Sequence, residues 1–274
     1  MPSVNPFAVA GASLPAGFLQ WFLVVMILAV VVGTLFDIVH KGSAKYFFAH
    51  MRKSKDKGRA IGGGEMMSIA VQTAVVDVLG SGEFCNQKRR VAHLLGMYGF
   101  VLYVVATAVM VFGYPASATE TPAIWPALWW IGGLMVAVGG YWFWFFIRVD
   151  VAAEGNTPLR LVKADLFVVS MLVSVTLGVI WAAAGGGSGW LFWLYLLATA
   201  VLFLGVPWSK FAHMFFKPAA AFDKRVARAN GTAENLPTQT RDDPEQQRRH
   251  SMELLRDAPM DMGLGIKREA PRHY

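Results

Sequence analysis

Cysteine is almost absent from this chain. The single thiol, Cys85, excludes an internal disulfide. It also excludes an iron–sulfur cluster held by this chain alone, since such a cluster needs about four thiolates. Electrons that pass through the chain therefore need another centre or another subunit. With one cysteine there is no CxxCH for covalent haem attachment, and no phosphate-binding glycine motif or internal repeat is present. Charge is scarce too. Asp, Glu, Lys and Arg make up 16% of the residues, against roughly 25% in a soluble domain. Three segments, residues 1–40, 93–147 and 164–209, contain no Lys or Arg at all.

What is abundant is apolar. Hydrophobic residues make up 55% of the 274 and the mean hydropathy is +0.44, which reads as an all-α integral membrane protein. The net charge of +7 does not point to nucleic acid, because the cations cluster at helix ends. Five runs predict spanning helices at about 18–39, 91–113, 126–147, 164–184 and 190–216, each near the roughly 20 residues a bilayer requires. Residues 1–16 lack the positive n-region of a secretory signal. Every Lys and Arg falls in 41–92, in 148–163 or beyond 209. By the positive-inside rule these segments are cytoplasmic. The expectation is a multi-pass protein of a bacterial inner membrane, with its N-terminus outside and its C-terminus in the cytoplasm.

Between the first two runs, Lys41–Gly64 carries seven Lys or Arg and one Asp. Glu65–Leu79 follows. It is apolar for too few residues to span, and is expected as a helix at the cytoplasmic interface or packed on the bundle. Trp125, Trp129 and Trp130 suit an aromatic belt. Gly132, Gly133, Gly139 and Gly140 would let helices approach closely. Pro207 removes one backbone bond and should kink the last run. Residues 1–217 thus make a membrane domain. Residues 218–274 make a polar cytoplasmic tail, read as disordered or as ordering against a partner, with QRRHSMELLRDA able to form one short helix.

Candidate chemistry gathers at the cytoplasmic side. His93 stands a turn inside the second run, beside Lys88, Arg89 and Arg90. His213 ends the fifth run and His40 ends the first, so three histidines share one leaflet. Such residues can be interfacial, proton-carrying or metal-ligating. Two neutral imidazoles on facing helices could clamp a b-type haem iron, with Arg89, Arg90 and Lys210 available to the propionates. Alternatively Asp37, His40 and Lys210 could supply the hydrogen bonds and protons that a quinone needs at the cytoplasmic mouth. Asp37, in the last turn of its helix, opposes the macrodipole there and so needs a partner or a task. Few charges lie deep in the runs and no inverted repeat occurs, which argues against a transporter.

The stretch FCNQKRRVAHLLGMYGFVLYVVAT resembles the helix entry in membrane subunits of the respiratory nitrate reductase gamma-subunit superfamily. PWSKFAHMFFK resembles the matching end of the last span. The likeness covers about residues 15–220 and is nearest to the membrane subunits of quinone-interacting oxidoreductases of sulfur metabolism. Within that branch a stand-alone chain with a tail looks most like the membrane anchor of dissimilatory adenylylsulfate reductase. The resemblance implies a five-helix haem b and quinone module that serves a cytoplasmic iron–sulfur and flavin oxidoreductase and performs no oxidation itself. It implies that His93 and His213 ligate the haem nearest the cytoplasm. Two-haem members carry a second histidine pair farther out on the same helices; here Tyr103 and Tyr195 are the candidates for those places. A haem-free anchor that docks the reductase is the alternative.

Overall fold

A backbone in hydrocarbon must satisfy its own hydrogen bonds, which leaves helices as the economical solution for apolar runs of this length. The computed structural model describes residues 3–82, 84, 87–115, 121–148, 156–209, 211, 213–233 and 236, without the side chains of Lys41, Ser43, Ala44, Tyr46, His50, Ser54, Lys55 and His213. Among the described residues every regular element is helical. The described residues form nine α-helices: α1 (Pro6–Gly11), α2 (Phe18–Lys41), α3 (Ser43–Lys57), α4 (Gly63–Gln72), α5 (Gln87–Gly113), α6 (Ile124–Trp142), α7 (Leu166–Ala183), α8 (Trp190–Leu204) and α9 (His213–Ala229). Two π-helical stretches, Thr73–Leu79 and Phe143–Ile147, extend α4 and α6. Helices α2, α5, α6 and α7, with their immediate extensions, are long and apolar enough to cross a membrane, so the chain is a multi-pass membrane protein. Exposed Val25, Leu28, Val32, Leu35 and Val39 on α2 suit contact with lipid.

The contacts divide the chain into two compact units. The first comprises Met1–Ser43, Lys88–Trp144 and Leu161–Met214. Helices α5 and α6 approach each other closely. A Cβ placed on Gly132 would meet the Gly99 carbonyl oxygen and the Tyr103 nitrogen, each at 2.7 Å, and one on Gly139 would meet the Ala92 oxygen at 2.7 Å. Backbone lies on backbone at two levels, the close approach expected of small residues in a spanning helix. Helix α7 is joined to α6 by the Tyr141–Thr176 hydroxyl pair (2.8 Å) and to α8 by Ser174–Thr199 (2.8 Å). At one end the cation-free segments come together. Asn5 caps α1 through the Phe7 and Ala8 N–H groups, and its amide donates to the Tyr114 carbonyl (3.2 Å) and to Thr121 Oγ1 (3.0 Å). Ser13 bonds Ser188 across 2.6 Å.

The run expected as one span over 190–216 is interrupted. Helix α8 is only 15 residues long, about 22 Å at 1.5 Å per residue, short of the roughly 30 Å hydrocarbon core. After Gly205 a 3₁₀ turn forms at Val206–Trp208, Ser209 is extended (φ −114°, ψ 176°), and the next described helix is His213–Ala229. Pro207 lacks the N–H that would continue the ladder, and the result is a break rather than a kink. Helix α9 carries Pro218 inside it and keeps residues 218–229 helical. Residues 237–274, including QRRHSMELLRDA, lie outside the described residues, as does Cys85.

The second unit comprises Ala44–Gln87, Phe145–Arg160 and Phe215–Tyr274. Arg225 of α9 donates to both carboxylate oxygens of Asp77, at 2.5 and 3.0 Å, and this bond holds the guanidinium above its usual pKa. The Arg59 N–H donates to the Asn230 carbonyl (3.0 Å). The helix expected at Glu65–Leu79 is present as α4 and its π extension. At its start, Arg59 pairs with Glu65, donating from Nη1 to Oε2 at 2.8 Å. That hydrogen bond holds the exposed Glu65 carboxyl below its ordinary pKa of 4.5. A depressed carboxyl pKa stabilises the fold above the unfolded value, and the benefit is lost as pH falls through the folded one. Amide exchange across the first turn of α4, corrected for intrinsic rate, should therefore rise between about pH 6 and about pH 3. In Glu65→Gln that rise should vanish.

Candidate functional site

Helix α5 presents different residues to different neighbours. The backbone at Ala92 and Gly96 lies against α6, where a Cβ on Gly139 would touch the Ala92 oxygen and, at 3.1 Å, the Gly96 nitrogen. His93 is one residue further, about 100° round the helix, and is exposed. Phe100 follows seven residues later, two turns on and on the same face. Its ring meets Phe203 of α8 and Phe211, with centroids 6.4 Å away in each case. Phe211 is buried and is also held edge-on by Phe167 of α7 at 5.2 Å. Phe211 stands two residues before His213, the first residue of α9. The α5 face that carries His93 is thus tied to the segment that leads into His213. The His213 side chain and Lys210 lie outside the described residues. Arg89 and Arg90, four and three residues before His93, share its side of α5; Arg90 is exposed and Arg89 half-buried.

On α2 the structure separates the two candidates. A Cβ on Gly33 would meet Val206 Cβ at 3.0 Å and Pro207 Cδ at 3.1 Å, so α2 lies against the 3₁₀ turn. Asp37, one turn later on that face, is 4% exposed. His40 instead stacks on Phe36 (5.3 Å, 8° between planes) and is exposed. Asp37 and not His40 therefore faces the interrupted helix.

No protein family matches this chain, and no curated protein or solved structure matches it. Its chemistry must be judged on its own residues. His93 is exposed, and a Cβ on Gly96, a turn away, would meet nothing within 4 Å. Among the described residues no three His, Cys, Asp or Glu side chains come together. A haem held by two imidazoles needs no such group.

Farther along α5 the situation differs. Tyr103 and Tyr195, singled out in the sequence as the occupants of a second ligand pair, do meet. The Tyr103 hydroxyl donates to the Tyr195 hydroxyl at 3.2 Å. Trp129 stacks on Tyr103 (4.8 Å, 27°) and Trp181 on Tyr195 (5.3 Å, 15°), with Phe7 edge-on to both indoles. Each indole N–H is satisfied, Trp129 by Thr107 Oγ1 (3.0 Å) and Trp181 by the Gly187 carbonyl (2.7 Å). Packed rings fill this place, so its residues do not fit a second haem. The Trp–Tyr–Tyr–Trp assembly was only half visible in the sequence, which shows aromatic residues but not which of them share a depth. A cavity of about 390 Å³, lined in part by Phe7, Leu14, Phe18, Gln20 and Val111, opens near the cation-free segments. It holds no titratable group.

Proposed function

We propose that this chain is the membrane subunit of an oxidoreductase complex. It carries electrons between a cytoplasmic iron–sulfur and flavin oxidoreductase and the quinone pool, through one haem b held by His93 and His213. In this reading the chain crosses the bacterial inner membrane five times. Helix α8 and its 3₁₀ turn make the fifth crossing, the cation-rich segments face the cytoplasm, and Glu65–Leu79 lies at that interface. The haem, when bound, supplies one-electron transfer. His93 and His213 would hold it through their imidazole nitrogens, and Arg89, Arg90 and Lys210 would pair with its propionates. Asp37 would hold and release a proton at the quinone oxygen, with His40 and Lys210 near the same mouth. The resemblance to the anchor of dissimilatory adenylylsulfate reductase makes that enzyme the proposed soluble partner.

The observation that supports the haem is the Phe100–Phe211 contact, which couples the His93 face of α5 to the residues just before His213. The runner-up is a haem-free anchor that only docks the reductase. The exposure of His93 favours it. A reduced-minus-oxidised visible spectrum of the purified chain decides between them. The haem reading expects a b-type band in the wild type and its loss in His93→Ala and in His213→Ala. A colourless preparation that still binds the reductase leaves the anchor. With haem in place, Asp37→Asn should slow quinone reduction about 10²-fold, the scale of a lost proton donor, without altering the spectrum.

A further inference from the structure

The helix from Gly63 to Leu79 has two faces, each spaced by four residues. Ile69, Thr73 and Asp77 make the inner one: the first two are buried, and Asp77 is bonded to Arg225 of α9. Met67, Val71, Val75 and Leu79 make the outer one, exposed at 66%, 55%, 56% and 52%. In an α-helix a four-residue stripe drifts round the axis by about 40° per step. The wider π turn over Thr73–Leu79 rotates it back. The π stretch thereby offsets the drift of the first half, leaving an apolar strip outward and an anchored strip inward.

We propose that the Met67–Val71–Val75–Leu79 strip is a docking surface for the headgroup and upper-chain region of an anionic lipid bilayer. Charge complementarity selects that occupant. The same unit carries Lys45, Arg52, Lys53, Lys55, Lys57 and Arg59 against Asp56 over residues 44–60. An apolar strip in a unit that also carries a cationic segment has the composition of a helix that lies in an anionic interface. Tether length agrees. Leu79 is eight residues before Gln87, the start of a helix apolar enough to cross a membrane, and eight residues reach at most about 29 Å. The bilayer is the apolar phase within that reach. This surface is independent of whether haem is bound.

Single cysteines carrying an environment-sensitive fluorophore test it in the full chain with Cys85→Ser, reconstituted into bilayers containing an acidic phospholipid. Val71→Cys and Val75→Cys report on the strip, two positions so that one misfolded variant does not decide the outcome. Ala60→Cys, exposed and outside any helix, is the aqueous reference. Lipids bearing a nitroxide at a shallow acyl carbon should quench both strip labels at least about two-fold more than the reference, by analogy with the interfacial depth of such helices. The excess should fall in a zwitterionic bilayer. Three results overturn the proposal. They are equal quenching at strip and reference, quenching indifferent to lipid charge, and shielding from aqueous iodide without quenching by lipid. The last would mean that protein covers the strip, either residues 237–274 or a second copy.

Discussion

Gly132→Leu should cost about 3 kcal/mol or more, the upper range for overpacking a filled interior, and in a protein of ordinary stability that margin decides folding. The reason is what the new side chain meets. Its Cβ alone would lie 2.7 Å from the Gly99 oxygen and 2.7 Å from the Tyr103 nitrogen. Both are backbone atoms of α5 and cannot rotate away. The only relief is to part α5 from α6, which also opens the Gly139–Ala92 contact two turns along. Unfolding of the purified protein in mixed micelles, followed by circular dichroism as denaturing detergent is added, measures the loss. Gly187→Ala is the control: a Cβ there meets nothing within 4 Å, and its midpoint should stay at the wild-type value.

Trp129→Ala is expected to rank next, at about 3–5 kcal/mol, the cost of removing a large buried ring that its surroundings cannot refill. Trp129 is 0% exposed. Its removal would strip Tyr103 of its stacking partner and Phe7 of an edge contact, and would leave the Thr107 hydroxyl without the indole donor. Trp129→Phe restores most of the volume but not the hydrogen bond. It should recover most of the stability and fall short by about 1 kcal/mol, the net value of one such bond. The same titration reads both variants, and equal midpoints for Ala and Phe would refute the packing argument.

The apolar runs and their glycines carried much of the membrane architecture in the sequence. Runs near 18–39, 91–113, 126–147 and 164–184 each correspond to a long helix, and Gly132 and Gly139 make the close approach that their size suggested. Three things were not legible. The interruption at Gly205–Ser209 reads as a mild kink, because one proline breaks one bond; the extended backbone of Ser209 adds the rest. The helix through Pro218 was hidden by the polar composition after Lys217, although Phe222, Val226 and Asn230 recur at four-residue spacing on its more buried side. The π turn at Thr73–Leu79 has no composition signal; it shows only as two parallel stripes once the inner partner Arg225 is known. For the candidate site, burial separated residues that sequence spacing grouped. Asp37 and His40 are three apart, yet one is buried toward the 3₁₀ turn and the other is stacked outside on Phe36.

The central claim is that imidazoles from α5 and from the start of α9 hold one iron together. Electron paramagnetic resonance of the oxidised, purified protein tests that pairing most directly, because two strong nitrogen ligands force a low-spin ferric haem. The account predicts a low-spin signal in the wild type that becomes high-spin, or disappears with the haem, in His93→Ala and equally in His213→Ala. A low-spin signal that survives either substitution, or a wild-type protein with no ferric haem signal at all, would contradict it.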